Sequence, residues 1–222
     1  NGIGKTNLLD AVHYLGLCKS CFEPQDGLNI LHGEDHFMLK GDLVVADGTD
    51  TLVCSVRKGA RKVFTRNRRE YERLADHVGR MPVVIITPYD GHLVLDGSEV
   101  RRRFLDGLIA QFDRAYLDSL VRYNRALAQR NTLLKRMAMD GRGDRDTTTP
   151  WEEQLVTHGE AVHAVRRTFT DELVPMLADH YAGITSGPER VELSYHSELG
   201  ERPMRAILDE RWPRDLEAGH TT

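Results

Sequence analysis

The residues best suited to chemistry stand at the start of the chain: Asn1-Gly2-Ile3-Gly4-Lys5-Thr6-Asn7. They spell the back half of the pattern G-x-x-x-x-G-K-S/T, whose first glycine would fall two residues ahead of Asn1. A triphosphate packs several negative charges into a small volume. Successive backbone N–H groups at a helix N-terminus answer that charge without a counter-ion. Gly2 and Gly4 permit the positive φ angles and close backbone approach that such a turn needs. Lys5 is placed to reach the β- and γ-phosphates, and Thr6 to offer its hydroxyl to Mg²⁺. Asn1, Gly2, Gly4, Lys5, Thr6 and Asn7 are therefore the candidate nucleotide-binding residues, with Thr6 the candidate metal contact. A plain glycine turn capping a helix is the alternative. Because the motif is entered partway, the chain reads as a piece of a longer protein.

Other groups carry weaker chemistry. Cys18-Lys19-Ser20-Cys21 spells C-x-x-C, but no second such pair completes four zinc ligands, and a helix rather than a strand precedes it. His32 and His36 are four apart, yet Gly33 between them argues for a loop. Arg57, Lys58, Arg61, Lys62, Arg66, Arg68, Arg69 and Arg73 form a basic stretch with only Glu70 and Glu72 nearby in sequence. It reads either as a contact surface for nucleic-acid phosphates or as a solvated hairpin face. Arg101, Arg102 and Arg103 open a helix and are expected to pair locally, with the Asp90 loop or with Asp106.

These residues need elements to position them. The 222-residue chain carries a formal charge of −4, with 40% hydrophobic and 29% charged residues. That is an ordinary soluble composition, and any nucleic-acid contact must be a local basic surface. Three cysteines fit a reducing cytoplasm better than a disulfide framework. No apolar run approaches the roughly 20 residues of a membrane span. A helix is expected from Lys5 to about Leu17, with Leu8, Leu9, Val12, Leu15 and Gly16 packing under a sheet. Phe37 to Val45, Thr51 to Arg57 and Lys62 to Arg66 read as an antiparallel meander, and Asn67 to Val78 as a return toward helix. Pro82 to Thr87 reads as a buried strand ending in the loop Thr87-Pro88-Tyr89-Asp90.

From about Asp113 the pattern turns to long helices. Leu117, Leu120, Asn124, Leu127, Asn131, Leu134 and Ala138 form one seam. Trp151, Leu155, His158, Val162, Val165, Phe169, Leu173, Met176 and His180 form a second. The polar stretch Asp140 to Pro150 joins them and reads as a disordered tip, so the pair is either an antiparallel arm or a helical subdomain. Thr149-Pro150 should start the second helix and Pro175 kink it. Val191 to Tyr195 alternates as a strand, and Arg205 to Ala218 as a helix interrupted by Pro213. Leu193-Ser194 lacks the glycines and glutamine of an ABC signature.

Several segments, in order, resemble the RecF family of bacterial DNA replication and repair ATPases, relatives of the SMC and ABC-type ATPases. They are Asn1 to Val12, Thr87-Pro88-Tyr89-Asp90, Gly97-Ser98, Arg101 to Asp106, Tyr123 to Leu127 and Gln129-Arg130-Asn131. The phosphate loop is shared by many proteins. The R-R-x-F-L-D run followed by Y-N-x-x-L-x-Q-R-N is far more specific, and the resemblance covers essentially the whole chain. Tyr89 departs from the family, which usually has an acidic residue there.

The resemblance implies an α/β P-loop NTPase of ABC/SMC type with a helical second lobe. Residues 1–112 would be a partial ATPase lobe, 113–190 a helical arm or lobe, and 191–222 a strand and helix returning toward the ATPase lobe. It implies ATP and Mg²⁺ as cofactors and an ATP-dependent homodimer clamping single-stranded or gapped duplex DNA. It also implies RecR, RecO and RecA as partners in the cytoplasm. Arg57, Lys58, Arg61, Lys62, Arg66, Arg68 and Arg69 are the DNA candidates. Signature and Walker B motifs are not found in these 222 residues, so this stretch alone is expected not to hydrolyse ATP. A P-loop small-molecule kinase, or a purely structural module, is the alternative.

Overall fold

In the computed structural model, which describes residues 4–185 and 187–222, the chain forms two units, Asn1–Arg114 and Ala115–Thr222.

The first unit is built around an antiparallel sheet in the order β1-β2-β3-β4, comprising His36–Val45, Gly48–Arg57, Val63–Arg66 and Arg69–Glu70. β1 and β2 pair along their full length, from His36 opposite Arg57 to Val45 opposite Gly48. Alternation decides which face is buried. Leu52, Cys54, Val56 and Phe64 point inward and pack with Tyr14, Leu15, Cys18 and Ile30. Helix α1, Lys5–Leu17, lies on that face. A Cβ at Gly41 would sit 2.7 Å from Leu15 Cδ1, and one at Gly16 would sit 2.6 Å from Val83 Cγ2. These glycines let helix, strand and the following extended segment approach closely.

Only the C-terminal half of α1 is enclosed, through His13, Tyr14, Leu15 and Gly16. Leu8, Leu9 and Val12 are exposed, against expectation, because the antiparallel sheet reaches only the far end of the helix. The helix expected over 67–78 is instead a tight turn at Asn67-Arg68, strand β4 and a 3₁₀ turn at Leu74–Asp76. Asn67 and Arg68 both have positive φ, 52° and 68°, which suits a two-residue hairpin turn. Pro82 to Thr87 is extended but pairs with no strand, and Ile86 is 87% exposed. Its apolar β-branched residues were legible, but a strand also needs a neighbour to take its backbone hydrogen bonds. A short helix α2 (His92–Leu95) and α3 (Ser98–Phe112) follow.

The second unit is helical. α4, Arg114–Asp140, and α5, Thr149–Ile184, run antiparallel, since Tyr116 meets Arg166, Tyr123 meets Gly159 and Arg130 meets Glu152. α6, Met204–Ala218, packs on α5. Ala126, Leu155 and Leu208 join the three helices in one apolar cluster, flanked by Tyr123, Leu127, Trp151 and Met204. This is the subdomain alternative rather than a bare arm. The buried line on α4 is Tyr116, Ala126, Arg130, Leu134 and Met137. Most of these lie one position before the expected seam, and Asn124 and Ala138 are exposed. The shift arises because an arginine and an alanine occupy buried positions that a leucine count overlooks.

Further expectations change. The 140–150 connection is structured. Asp144 caps a 3₁₀ turn at Arg145–Thr147, and Thr148 is wholly buried. Residues 191–195 belong to no strand among the described residues. α6 runs through Pro213 to Ala218 without interruption. Residues 191–222 fall in the helical unit, where α6 closes its core.

Candidate functional site

Asn1 and Gly2 lie outside the described residues. Gly4 is the N-cap of α1 with φ 78°, ψ 15°, the left-handed conformation that glycine adopts without penalty. No side chain caps the helix start and no acidic residue occupies its first turn. Lys5, Thr6 and Asn7 are exposed there. The first-turn N–H groups, the positive end of the helix dipole, a lysine and a hydroxyl thus share one end of α1. This donor set fits a polyphosphate with its divalent cation.

The opposite end of α1 is pinned by polar contacts. Cys18 caps it with φ 58°, its N–H donating to Tyr14 O at 2.8 Å. Lys62 Nζ donates to Cys18 O at 2.6 Å and to Tyr14 Oη at 3.1 Å, and pairs with Asp26 at 2.7 Å. Tyr14 Oη in turn donates to Asp26, and the Lys62 ammonium lies 4.9 Å from the Tyr14 ring centroid. A cation bonded to a terminal carbonyl complements the helix dipole. Burial, then the Asp26 bond, raises the Tyr14 phenol well above its usual range. Asp10 accepts from Ser20 Oγ and Cys21 N, both at 2.7 Å, folding the 18–21 stretch back on the helix. His77 is buried and bonds Leu15 O at 2.7 Å through Nε2, with Tyr71 Oη 3.2 Å from Nδ1. Burial lowers its pKa, so the ring is held neutral.

The C-x-x-C pair is split by environment. Cys18 is buried and burial pushes its thiol up to about 12, whereas Cys21 is exposed. Among the described residues, no group of three or more His, Cys, Asp or Glu could hold a metal ion.

The structure divides the basic stretch. Lys62 is committed to α1. Lys58 donates to Glu34 O at 2.6 Å and Arg61 to Glu72 O at 2.9 Å, while the Arg57 charge acts on Asp35. Arg66 pairs with Asp50 at 2.6 Å, and Arg73 lies 3.8 Å from Asp76. Arg68 and Arg69 are exposed at the β3–β4 turn. The arginines of α3 do pair locally. Arg101 donates to the carbonyls of Leu93 and Asp96, Arg102 to Ser98 Oγ, and Arg103 to Glu99. Helical spacing brings Ser98 and Glu99 four residues from their partners. Asp90 instead closes a capping box with Thr87, accepting from Thr87 N at 3.0 Å.

Sequence reasoning missed the polar centre of the helical unit. Arg130, 0% exposed, donates to Glu152 Oε1 at 3.0 and 3.1 Å, to Asp215 Oδ2 at 2.7 Å and to Thr221 Oγ1 at 2.8 Å. Arg145 and Arg205 approach Glu152 Oε2 from the rim. Asn131 Oδ1 accepts from Thr221 N and Oγ1, so Arg130 and Asn131 tie three helices and the last residues together. The signal available was an arginine within an apolar seam. The partners, as many as 91 residues away, were not legible.

No family model matches the chain. Sequence relatives do. It is 40% identical over 222 residues to "DNA replication and repair protein RecF" of Flavobacterium johnsoniae, covering 100% of this chain and 62% of that protein. It is 41% identical over 222 residues to the protein of the same name from Bacteroides fragilis, covering 59% of it. Two solved structures superpose on the whole chain. They are described as the recombination mediator protein RecF with ATP and with ATPrS in the RecFOR pathway. Their TM-scores are 0.88 and 0.89 at 24% and 25% identity, and 62% of each is covered.

The fold is therefore that of the ABC/SMC-type P-loop ATPases, an α/β lobe accompanied by a helical one. The sequence relatives narrow this further. Over its whole length the chain is similar to RecF proteins, and it spans 59–62% of the length of the curated relatives it matches. Among the described residues no helix is long and apolar enough to cross a membrane.

Proposed function

We propose that this chain is the phosphate-loop and helical part of an ATP-dependent DNA-binding protein of replication and recombinational repair. The identity of 40% or more to RecF proteins over all 222 residues carries this reading. In it, the first-turn N–H groups of α1 and Lys5 hold the β- and γ-phosphates, with Asn1, Gly2, Gly4 and Asn7 shaping the loop. Thr6 presents its hydroxyl to Mg²⁺. Bound Mg-ATP supplies the concentrated negative charge that a second subunit can close upon. The pinned C-terminal half of α1 holds the loop still while its exposed N-terminal turn remains open to ligand and partner.

ATP drives homodimerisation around single-stranded or gapped duplex DNA in the cytoplasm, and RecR- and RecO-type mediators and the RecA recombinase act with the dimer. Part of the basic stretch contacts DNA. Turnover is slow and serves release, and the 222 residues alone do not hydrolyse ATP. Turnover by this chain that disappears in Lys5→Ala would overturn that last point.

The test of the whole reading is retention of gapped DNA by the full-length protein at matched salt. Retention should require ATP and Mg²⁺ and fall at least tenfold in Lys5→Ala. Equal retention with and without ATP sinks the clamp.

A further inference from the structure

The β3–β4 turn breaks two local rules at once. In a hairpin turn with two left-handed residues the second position is usually glycine, because a side chain there is strained. Here Asn67, at φ 52°, is followed by Arg68 at φ 68°. Directly across the ladder, Arg66 faces Arg69. Like charges placed opposite one another are destabilising. Local violations of this kind concentrate at functional sites.

The strained turn is also held firmly. Asn67 N donates to Thr51 O at 2.8 Å, Thr51 N to Asn67 Oδ1 at 2.9 Å, and Asn67 Nδ2 to Asp50 Oδ1 at 2.7 Å. Arg66 Nε takes the other Asp50 oxygen at 2.7 Å. Asp50 is therefore saturated inside the patch, and its carboxyl sits below the usual range through Arg66, Asn67 and, more weakly, Arg80.

Face alternation separates the remaining acids. Asp50, Arg66 and Arg69 share one face of the sheet. Asp42 and Glu70 register with Thr51 and Thr65 on the other, and Asp42 accepts the Thr51 hydroxyl. Asp47 lies in the neighbouring β1–β2 turn. Arg80 is exposed and acts on Asp50 from outside the sheet. The side chains of Arg68 and Arg69 have no hydrogen-bond or ion-pair partner among the described residues.

We propose that Arg68 and Arg69, backed by Arg66 and Arg80, form a phosphate-contacting patch for the nucleic-acid backbone, and that the other end of the basic stretch is structural. This rests on the DNA-binding reading above and adds Arg80 to it. Lys58, Arg61 and Lys62 sit at the far end of β3, a strand of four residues, and are spent on carbonyls and Asp26. Rigid arginines without acidic partners favour bidentate contacts to phosphodiester oxygens, which are independent of base sequence.

The experiment is anisotropy of a labelled gapped duplex with the full-length protein between about 50 and about 200 mM salt. Arg68→Gly/Arg69→Gln should weaken binding roughly tenfold and reduce the log–log salt slope by about 1 to 2. Lys58→Gln/Arg61→Gln should leave the slope unchanged. Arg68→Gly alone should keep or raise the melting temperature, because glycine relieves the left-handed strain. That separates lost contact from lost fold. If wild type shows no salt-dependent binding, the DNA reading and this patch fall together. If wild type binds and the Arg68/Arg69 variant matches it, or the Lys58/Arg61 variant loses as much, only this placement falls. Loss of nucleotide affinity with DNA binding intact would also overturn it.

Discussion

In the first unit, Lys62 sits at the rim of the core, its side chain 14% exposed, with one carboxylate partner at 31%. In the second, Arg130 and Asp215 are both 0% exposed and Glu152 is at 1%. The first cluster trims the end of a helix whose other end is exposed. The second is the place where α4, α5, α6 and the last residues meet. A charge at a rim keeps part of its hydration, so its contacts are individually modest. A charge fully enclosed has no such refuge, and every partner it has becomes indispensable.

Removing one member of each cluster measures that difference. Arg130→Met strips Glu152 and Asp215 of their shared cation. It should destabilise the helical unit by about 3–5 kcal/mol. Amide hydrogen exchange over residues 115–222 reads the loss, and protection within 1 kcal/mol of wild type (roughly fivefold) would contradict the indispensable role.

Lys62→Met removes charge-assisted bonds at the rim. It should cost about 1–3 kcal/mol, confined to the first unit, with Lys62→Arg between it and wild type. The buried Cys18 thiol should then label faster with a thiol reagent. An unchanged salt slope for DNA would sharpen the assignment of Lys62 to the fold.

The smallest effect concerns pH. His77 in the folded unit has a pKa below its unfolded value of about 6.5. Its stabilisation is complete above that value and is lost as pH falls below it toward the folded pKa, because the unfolded chain then binds the extra proton. Between pH 7 and 5 the first unit should weaken by on the order of 1 kcal/mol. His77→Gln should flatten that dependence. A wild-type profile already flat over this range would remove His77 from the account.

Much of this was legible from residue types. The phosphate-loop helix falls at Lys5–Leu17 as its pattern requires, and the meander follows its alternation and turn glycines. The errors share one cause. Leu8, Val84 and Ile86 are apolar and well spaced, and all three are exposed. Periodicity reports which residues can be covered, and not whether a neighbour is there to cover them. Arg130 shows the converse: a charged residue buried where pattern alone placed it beside the seam.

The sequence by itself pointed to the nucleotide chemistry proposed at Gly4, Lys5 and Thr6, because such chemistry depends on local backbone and residue type over a single turn. It also pointed to the RecF relatives, because runs such as Arg101–Asp106 and Gln129–Asn131 are specific in spelling. The tertiary structure alone decided what the charges do. Whether Lys62 faces phosphate or a helix end, and whether Arg68 stands free while Arg130 is enclosed, depends on partners tens of residues away. Electrostatic roles are set by distance and desolvation, and neither can be counted along the chain.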